Sequence, residues 1–599
     1  MTKYKILIKD RNYTDWNLTN DETLEEVEPI DQINLQKKIN PVQQKLFTKD
    51  IFLYDQKTNY IHTVYSHVRS GIPLAGILML ENNKTFGRTL NKKRLLYKCI
   101  PDDKQLPAFL IPFDMKIGFS KIQSNKYIIF KFDSWEDQHP HGIILETLGD
   151  VNSLDVFYEY QLYCKSLHVS LTDFTKKTRE QLHKTSNEEY IQQILSNPDF
   201  HIEDRRHPDC ANIFTIDPEN SLDFDDAFSI EHIDNGNANG NTTYKISVYI
   251  ANVYFWLETL GLWKSFSSRV STIYLPDRKR PMLPTILSDN LCSLQEGETR
   301  FSFVMDITLI VTDTGVEIKQ VEYKNAAIKV YKNYRYEEPA LVYKNKDYTT
   351  LFDITKKMDK TVTDSHDIVS FWMIKMNSEC GKYMAEKEIG IFRMANCANM
   401  IDPDFHKETN FLQLTQNTQR IIKMWNNVSG QYILYDKNTI MKHDIMKTQN
   451  YSHITSPIRR LVDLLNQIWI SRSLKIIEKP SADSADFFHN WLNQMSYLNV
   501  SMRSIRKIQT DCEILHRCFN DPHIMQDYHK GILFDKIKKN DGSIVFMVYL
   551  EELHLLTRLK TYENLENYST HQFKLFLFED ESNLKKKIRV QIVSLNIIQ

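Results

Sequence analysis

The sequence predicts a multidomain α+β protein in which a large mixed domain is flanked by small OB-type β-barrels. Three observations carry that expectation. The chain has 599 residues, 42% hydrophobic and 25% charged, which is an ordinary globular composition with room for several domains. Short alternating apolar segments separated by turn residues fill residues 50–150 and return after residue 530. Between them, apolar residues recur at helical spacing.

Taken in order, residues 1–42 are polar and acidic around positions 20–28 and read as an N-terminal arm. Strand-like segments at 51–54, 61–65 and 75–80 make residues 43–100 a cold-shock-like OB barrel, and those at 109–111, 127–130 and 143–145 make residues 101–165 a second. Residues 166–204 read as a helical connector. Residues 205–520 form the large domain, in which Val369, Met373, Met376, Cys380 and Tyr383 mark a helix ending near Gly390, their stripe being core. Residues 521–599 alternate again and suit a C-terminal OB-type RNA-binding barrel, with Lys585, Lys586, Lys587 and Arg589 on its last strand.

Composition excludes several classes. A formal net charge of −2 gives no global attraction to nucleic acid, so any such site must be a local basic patch. One candidate is the acid-free run containing Lys84, Arg88, Lys92, Lys93, Arg94 and Lys98, interleaved with Phe86 and Tyr97. Eight cysteines without Cys-x-x-Cys pairs argue against structural zinc and a disulfide framework. No apolar run approaches a membrane span, and the mixed-charge N-terminus is unlike a signal peptide, so a cytoplasmic protein is expected.

The chemistry is concentrated at residues 217–226, where Asp217, Glu219, Asp223, Asp225 and Asp226 put four aspartates and a glutamate into ten residues. Like charges this close raise one another's pKa unless a cation neutralises them, so the run reads as a cage of hard oxygen ligands, Asp217, Asp223, Asp225 and Asp226, for Mg²⁺ or Mn²⁺. Two such ions ~3.5–4 Å apart can clamp the attacking and leaving oxygens of a phosphodiester. An EF-hand fails on register, since counting from Asp217 or Asp223 finds no glycine sixth and no glutamate twelfth. A plain acidic surface turn fits poorly, because Ile216 and Phe224 alternate with the acids and Ala227-Phe228-Ser229-Ile230 continues as a strand. Ser456-Pro457 reads as an N-cap and first-turn proline, so that Ile458, Arg459 and Arg460 begin a helix whose amino end suits a phosphate.

At these residues the chain resembles the ribonuclease II/ribonuclease R (RNB) family of 3′→5′ exoribonucleases. The matching motifs are Ile216-Asp217-Pro218 with Asp223-Phe224-Asp225-Asp226-Ala227, then Tyr274-Leu275-Pro276, Pro281-Met282-Leu283-Pro284 and Leu291-Cys292-Ser293-Leu294, and finally Tyr451-Ser452-His453-Ile454-Thr455-Ser456-Pro457-Ile458-Arg459-Arg460, in the family's order. Phe132-Asp133-Ser134-Trp135, Pro140, Gly142 and Leu148-Gly149 are similar to a cold-shock barrel of the eukaryotic, exosome-type branch. The resemblance implies a metal-dependent, processive enzyme that hydrolyses single-stranded RNA to nucleoside 5′-monophosphates. It makes Asp217 and Asp226 direct metal ligands, Asp225 the catalytic carboxylate and Arg459 the transition-state arginine. RNA contacts are expected from Tyr274, which corresponds to a base-stacking aromatic, and from Asn377, Arg460, Lys92, Lys93 and Arg94, with Phe392 the candidate for an opposing aromatic. The chain lacks the long N-terminal extension of the exosome subunit's endonuclease domain, so it is expected to act as a stand-alone monomer rather than docked on an exosome. It departs from the family's pattern at Asn252, where an aspartate is usual, at Gln467, where a histidine is, and at Phe371, where a glutamate is. Two rival readings remain: a non-catalytic RNA-binding protein built on a decayed nuclease domain, and a DNA exonuclease with the same chemistry.

Overall fold

The computed structural model describes residues 2–593 apart from 22–24, 26, 28, 56, 82–83, 90–92, 115–122, 208, 234–241, 314, 395–407, 429, 438–441, 444–447 and 581–584. It is a mixed helix and strand architecture of several sheets.

The N-terminal region differs from the expected arm and paired barrels. Thr2–Ile8 pairs with Trp16–Asn20 on one side and Ile51–Asp55 on the other, and Tyr60–Tyr65 completes a four-stranded sheet. The reason is visible in the alternation of Tyr4, Ile6 and Ile8, all buried, which the acidic stretch that follows obscures. A single closed five-stranded barrel follows, built from Leu74–Leu78, Leu95–Pro101, Phe109–Phe113, Lys126–Ser134 and His141–Asp150. It straddles the boundary expected at residue 100. Tyr97 points into this barrel with no exposed surface, so it is a core residue and not part of a basic-aromatic face.

Three helices, Leu154–Cys164, Thr172–Leu182 and Asn187–Leu195, lead into the central sheet. That sheet has seven strands in the order Ile202–Arg205, Val316–Lys329, Thr299–Val311, Thr242–Ala251, Asp226–Ile233, Phe214–Asp217 and Lys332–Arg335. The two outer pairings are parallel and the inner ones antiparallel. One face packs on the Ser365–Glu386 helix through Val248, Ile250, Phe303, Trp372 and Met376; the other face belongs to a core shared with the Leu461–Ser473 and Met495–Asn520 helices. The chain ends in a five-stranded antiparallel sheet, Leu555–Thr561, Ile544–Leu550, His529–Lys538, Thr570–Asp580 and Lys585–Val593, whose two edge strands come into contact.

Inside the central sheet, Arg205 forms a two-pronged ion pair with Asp306, which also accepts a 2.6 Å hydrogen bond from Ser247. The side chains are only 8% and 4% exposed, so neither charge has water to fall back on. Burial opposes ionisation of Asp306, yet Arg205 holds its carboxyl below the ordinary range. A depressed carboxylate pKa contributes stability above its unfolded value, which is lost as pH falls through the folded one. Arg205→Met should therefore cost about 3 kcal/mol by leaving the buried Asp306 with only Ser247 and the more distant Lys324, at 3.8 Å, to offset its charge. Urea unfolding of the variant should show a lower midpoint at neutral pH and a smaller difference from the parent in acid, and an unchanged midpoint would refute the assignment.

Candidate active site

The acids sit where two adjacent strands of the central sheet turn over. Asp217 is the last residue of Phe214–Asp217 and Asp226 the first of Asp226–Ile233, paired through Phe214 and Phe228. The connecting loop is strapped down along its length. The Ser293 hydroxyl accepts from the Phe224 amide at 3.0 Å and donates to the Leu222 carbonyl at 2.7 Å. The Leu294 amide donates to the Phe224 carbonyl at 3.0 Å, and the Ala251 amide to that of Asp225 at 2.8 Å. Ser293 thus has a structural reason to stand in the Leu-Cys-Ser-Leu motif.

Asp225 is 2% exposed and both its oxygens are taken. Oδ1 accepts from the Ile458 amide at 3.1 Å and Oδ2 from Arg459 Nε at 2.7 Å. The Arg459 carbonyl in turn accepts from the Thr272 amide at 2.9 Å and the Ser271 hydroxyl at 2.8 Å, which fixes the approach to Tyr274. These contacts correct one expectation: residues 457–459 are a turn, and the helix begins only at Leu461 with Arg460 as its N-cap. The Ile458 amide serves Asp225 and the Arg459 carbonyl serves the 270–272 segment, so that carbonyl is not free to accept in an α-helical ladder. The Ile458 amide acts on a carboxylate, not as a helix-end phosphate site.

The four expected ligands are not equivalent. Asp217 Oδ2 and Asp226 Oδ2 are buried without a hydrogen-bond partner. Burial, then the neighbouring Asp225, pushes Asp217 up to about 7. Burial, then Asp217 and Asp225, raises Asp226 still further, and burial raises Asp225 to about 6 against the pull of Arg459. Asp223 is held by Lys279 at 3.1 Å, which also reaches Asp289 at 3.0 Å. Among the described residues no trio of His, Cys, Asp or Glu is already closed into a metal-ligand set. The donors present nonetheless suit a hard divalent cation, because two buried carboxylate oxygens have no other partner and their charge is otherwise unfavourable.

Tyr274 is 41% exposed, with its hydroxyl 3.5 Å from Asp223, so its ring is available beside the acids. The remaining expected contacts fare differently. Asn377 is 2% exposed and occupied: its Nδ2 donates to the Tyr451 hydroxyl at 3.1 Å and its Oδ1 accepts from the Ile454 amide at 2.9 Å. In this structure it positions the motif from behind and presents almost no exposed surface beside the acids. Arg460 pairs with the fully buried Asp463 at 2.8 Å. Phe392 has no exposed surface, which removes it as an opposing aromatic. Arg94 pairs with Asp114 at 2.9 Å, Lys93 is exposed, and Lys92 lies outside the described residues.

The three departures can also be located. Asn252 donates to Asn325 Oδ1 at 3.1 Å, Gln467 donates to the Ala251 carbonyl at 3.1 Å, and Phe371 lines a cavity of about 970 Å³. Residues missed in the sequence include Lys279 and Tyr336, the latter stacked on His366 at 3.5 Å with its amide donating to the Asp217 carbonyl. Lys279 sits beside a matched motif, but no pattern pairs it with Asp223; nothing local marks Tyr336.

The RNB domain family matches residues 205–351 and 343–476. DIS3-like exonuclease 2 of Caenorhabditis elegans is 30% identical over 264 residues, which is 42% of this chain and 29% of that protein. DIS3-like exonuclease 2 of Schizosaccharomyces pombe is 24% identical over 485 residues, 64% of this chain and 50% of that protein. The matches thus span half or less of these relatives. Apo RNase R of Mycoplasma genitalium superposes with a TM-score of 0.61 at 15% identity, covering 98% of this chain and 100% of that one; its complex with ribose methylated single-stranded RNA gives 0.59, also at 15% identity and with the same coverage. The yeast pseudonuclease Ssd1 gives 0.54 at 15% identity over 93% of this chain and 78% of that one. At such identity these structures speak for the fold.

The acid cluster has a thermodynamic signature. A carboxyl whose folded-state pKa is raised favours folding below its ordinary value and loses that contribution as pH rises through the raised one. In EDTA the melting temperature should fall between about pH 4 and the value near 7 of Asp217. Asp217→Asn should raise the melting temperature at pH 7.5 by several degrees and flatten the profile, and a variant melting no higher than the parent would refute burial of charge at this site.

Proposed function

Residues 205–476 belong to the RNB family, and from that membership and the acid cluster we propose that the protein is a divalent-metal-dependent 3′→5′ exoribonuclease that degrades single-stranded RNA processively to nucleoside 5′-monophosphates. The observation that carries the reading is the pair of buried, partnerless oxygens on Asp217 and Asp226, flanked by Arg459 and Tyr274. Asp217 and Asp226 would hold Mg²⁺ or Mn²⁺, with Asp223 available once released from Lys279, while Asp225 stays on Arg459. The bound ion would supply Lewis-acid stabilisation of the phosphodiester and a nucleophile at neutral pH.

The chain's own residues do the rest. Tyr274 offers an exposed ring on which a terminal base stacks, worth about 1–3 kcal/mol in such contacts. The Arg459 side chain is 44% exposed while its Nε is fixed on Asp225 and one outer nitrogen donates to the Ser456 hydroxyl at 3.2 Å, which leaves the other outer nitrogen to meet a phosphate. Held in this way, the guanidinium is already oriented before substrate arrives, which favours charge developing in the transition state. The same reading takes the protein to act alone in the cytoplasm.

A second reading has its own observation. Asp225 and Asp223 are both engaged by cations, as in a site used for binding rather than cutting, and the fold likeness extends to a pseudonuclease. Incubating 5′-labelled RNA and DNA with the protein, with and without EDTA, separates them. Metal-dependent shortening of RNA from its 3′ end is expected; intact RNA bound tightly in Mg²⁺ would establish the decayed-nuclease reading, and equal loss of DNA would remove the RNA preference.

Two substitutions test the residue roles. Arg459→Lys keeps the charge but loses the planar fork, so single-turnover rate should fall by about two orders of magnitude, the scale of one lost transition-state donor, with little change in RNA affinity. Loss of affinity at unchanged rate would make Arg459 a positioning residue. Tyr274→Ala should lengthen the limit product on a denaturing gel, and an identical end product would rule out stacking.

A further inference from the structure

A second cavity, of about 240 Å³, lies where the Leu154–Cys164 helix, the Met495–Asn520 helix and the last two strands of the C-terminal sheet meet. Its charge is one-sided. Of the charged groups lining it, Lys585 pairs with Asp102 and Asp580 with Lys104, so these cancel outside it. Lys586 lies over the Phe519 ring at 5.5 Å. What remains is Lys165, Lys507, Lys587 and Arg589 around a single carboxylate, Asp511, with Arg558 adding to the field from the Leu555–Thr561 strand.

Nothing in the fold requires this crowding. Lys165 caps the Leu154–Cys164 helix, Lys507 lies on the Met495–Asn520 helix and Lys587 on the last strand, and among the described residues none of them forms a salt bridge. Burial, then Lys165, Lys587 and Arg558, lowers Lys507's affinity for its proton even though Asp511 opposes the effect. Four cations converging on one carboxylate repel each other by more than that carboxylate offsets, and an anion would relieve the imbalance. Arg589 is also pre-oriented, its guanidinium stacked at 3.5 Å on the Phe578 ring that lines the cavity.

We propose that this cavity is a phosphate-binding pocket, separate from the acid cluster, which takes backbone phosphates of a nucleic-acid strand through Lys165, Lys507, Lys587 and Arg589. The assignment of a strand rests on the reading of the protein as an RNA enzyme. One contact supports it: the Met495–Asn520 helix, which supplies Lys507 and Asp511, also packs on the Ile273–Tyr274 strand. One helix thus joins the strand of Tyr274 to the lysines of the pocket.

The test uses the full chain in EDTA, so that it does not depend on catalysis. Binding of a single-stranded RNA oligomer is followed by fluorescence anisotropy across a salt series, for the parent, for K165A/K507A/K587A and for the charge-preserving K165R/K507R/K587R. Each phosphate contact contributes about 0.7 to the slope of log affinity against log salt for a single strand, so the alanine variant should lose about 2 and the arginine variant almost nothing. Calorimetry with inorganic pyrophosphate is the second arm. Pyrophosphate binding lost in the alanine variant while the RNA slope stays unchanged would keep the phosphate pocket and overturn the strand. Unchanged behaviour in both arms overturns the pocket, whether or not the protein proves to be a nuclease. The lysines are exposed, and the single K587A variant should still lose about 0.7 of slope if the triple variant does not fold.

Discussion

Asp225 is the point through which the parts of the candidate site are joined. Its two oxygens accept from the Ile458 amide and the Arg459 side chain, while its own carbonyl receives the Ala251 amide of the central sheet. One buried carboxylate therefore fixes the height of the acid loop against the sheet and the orientation of the arginine above it. Removing that charge would free the Arg459 side chain and leave the Ile458 amide of the turn to satisfy elsewhere, which is why its effect cannot be confined to chemistry. Asp217 and Asp226, by contrast, each keep one buried oxygen without a hydrogen-bond partner, and Arg459 relieves their unfavourable electrostatics only in part. The site is thus part rigid and part strained: one acid is locked into the fold, and two are kept in a state that a proton or a cation improves.

The motif that supplies the arginine is dense because it is buried. The Ser452 hydroxyl donates to the Asn377 carbonyl, His453 meets the Tyr432 hydroxyl at 2.7 Å, the Ser456 amide donates to Asp463, and Asn466 donates to the carbonyls of Ile391 and His453. An irregular segment passing through the core must satisfy its polar groups with side chains, because no ladder is available. Gly381 belongs to the same arrangement. A Cβ there would stand 1.7 Å from the Asn450 carbonyl oxygen, so the long helix and the start of the motif approach as closely as backbones can.

Much of this was legible because chemistry crowds residue types into short runs. The acid run, the Tyr274 hairpin and the Ser-Pro-Ile-Arg-Arg segment each announce themselves locally, and the structure brings all three together. What sequence reading lost was long-range pairing. Alternating Tyr4, Ile6 and Ile8 predict a strand equally well as an arm with chance periodicity, and only the partner strand at Ile51–Asp55 decides. The helix expected at Ile458 fails for a similar reason: Ser-Pro is a sound local signal, but the Arg459 carbonyl is taken by the 270–272 segment and the Ile458 amide by a carboxylate far away in the chain. Asn377 and Phe392 were misjudged because burial, not residue type, sets whether a side chain can touch a ligand. Lys279 and Tyr336 left no local trace, since their partners become neighbours only on folding.

The distance in sequence between Asp225 and Arg459, 234 residues, gives the site a place in time as well as in space. Synthesis proceeds from the amino end, so the nascent chain displays all four acids, and both strands that carry them, long before the turn that locks Asp225 has been made. Throughout that interval the acid loop lacks the arginine and the amide that hold it. A ribosome that stalls before Arg459 is added therefore leaves a product with all four aspartates present and Asp225 without the arginine that orients it.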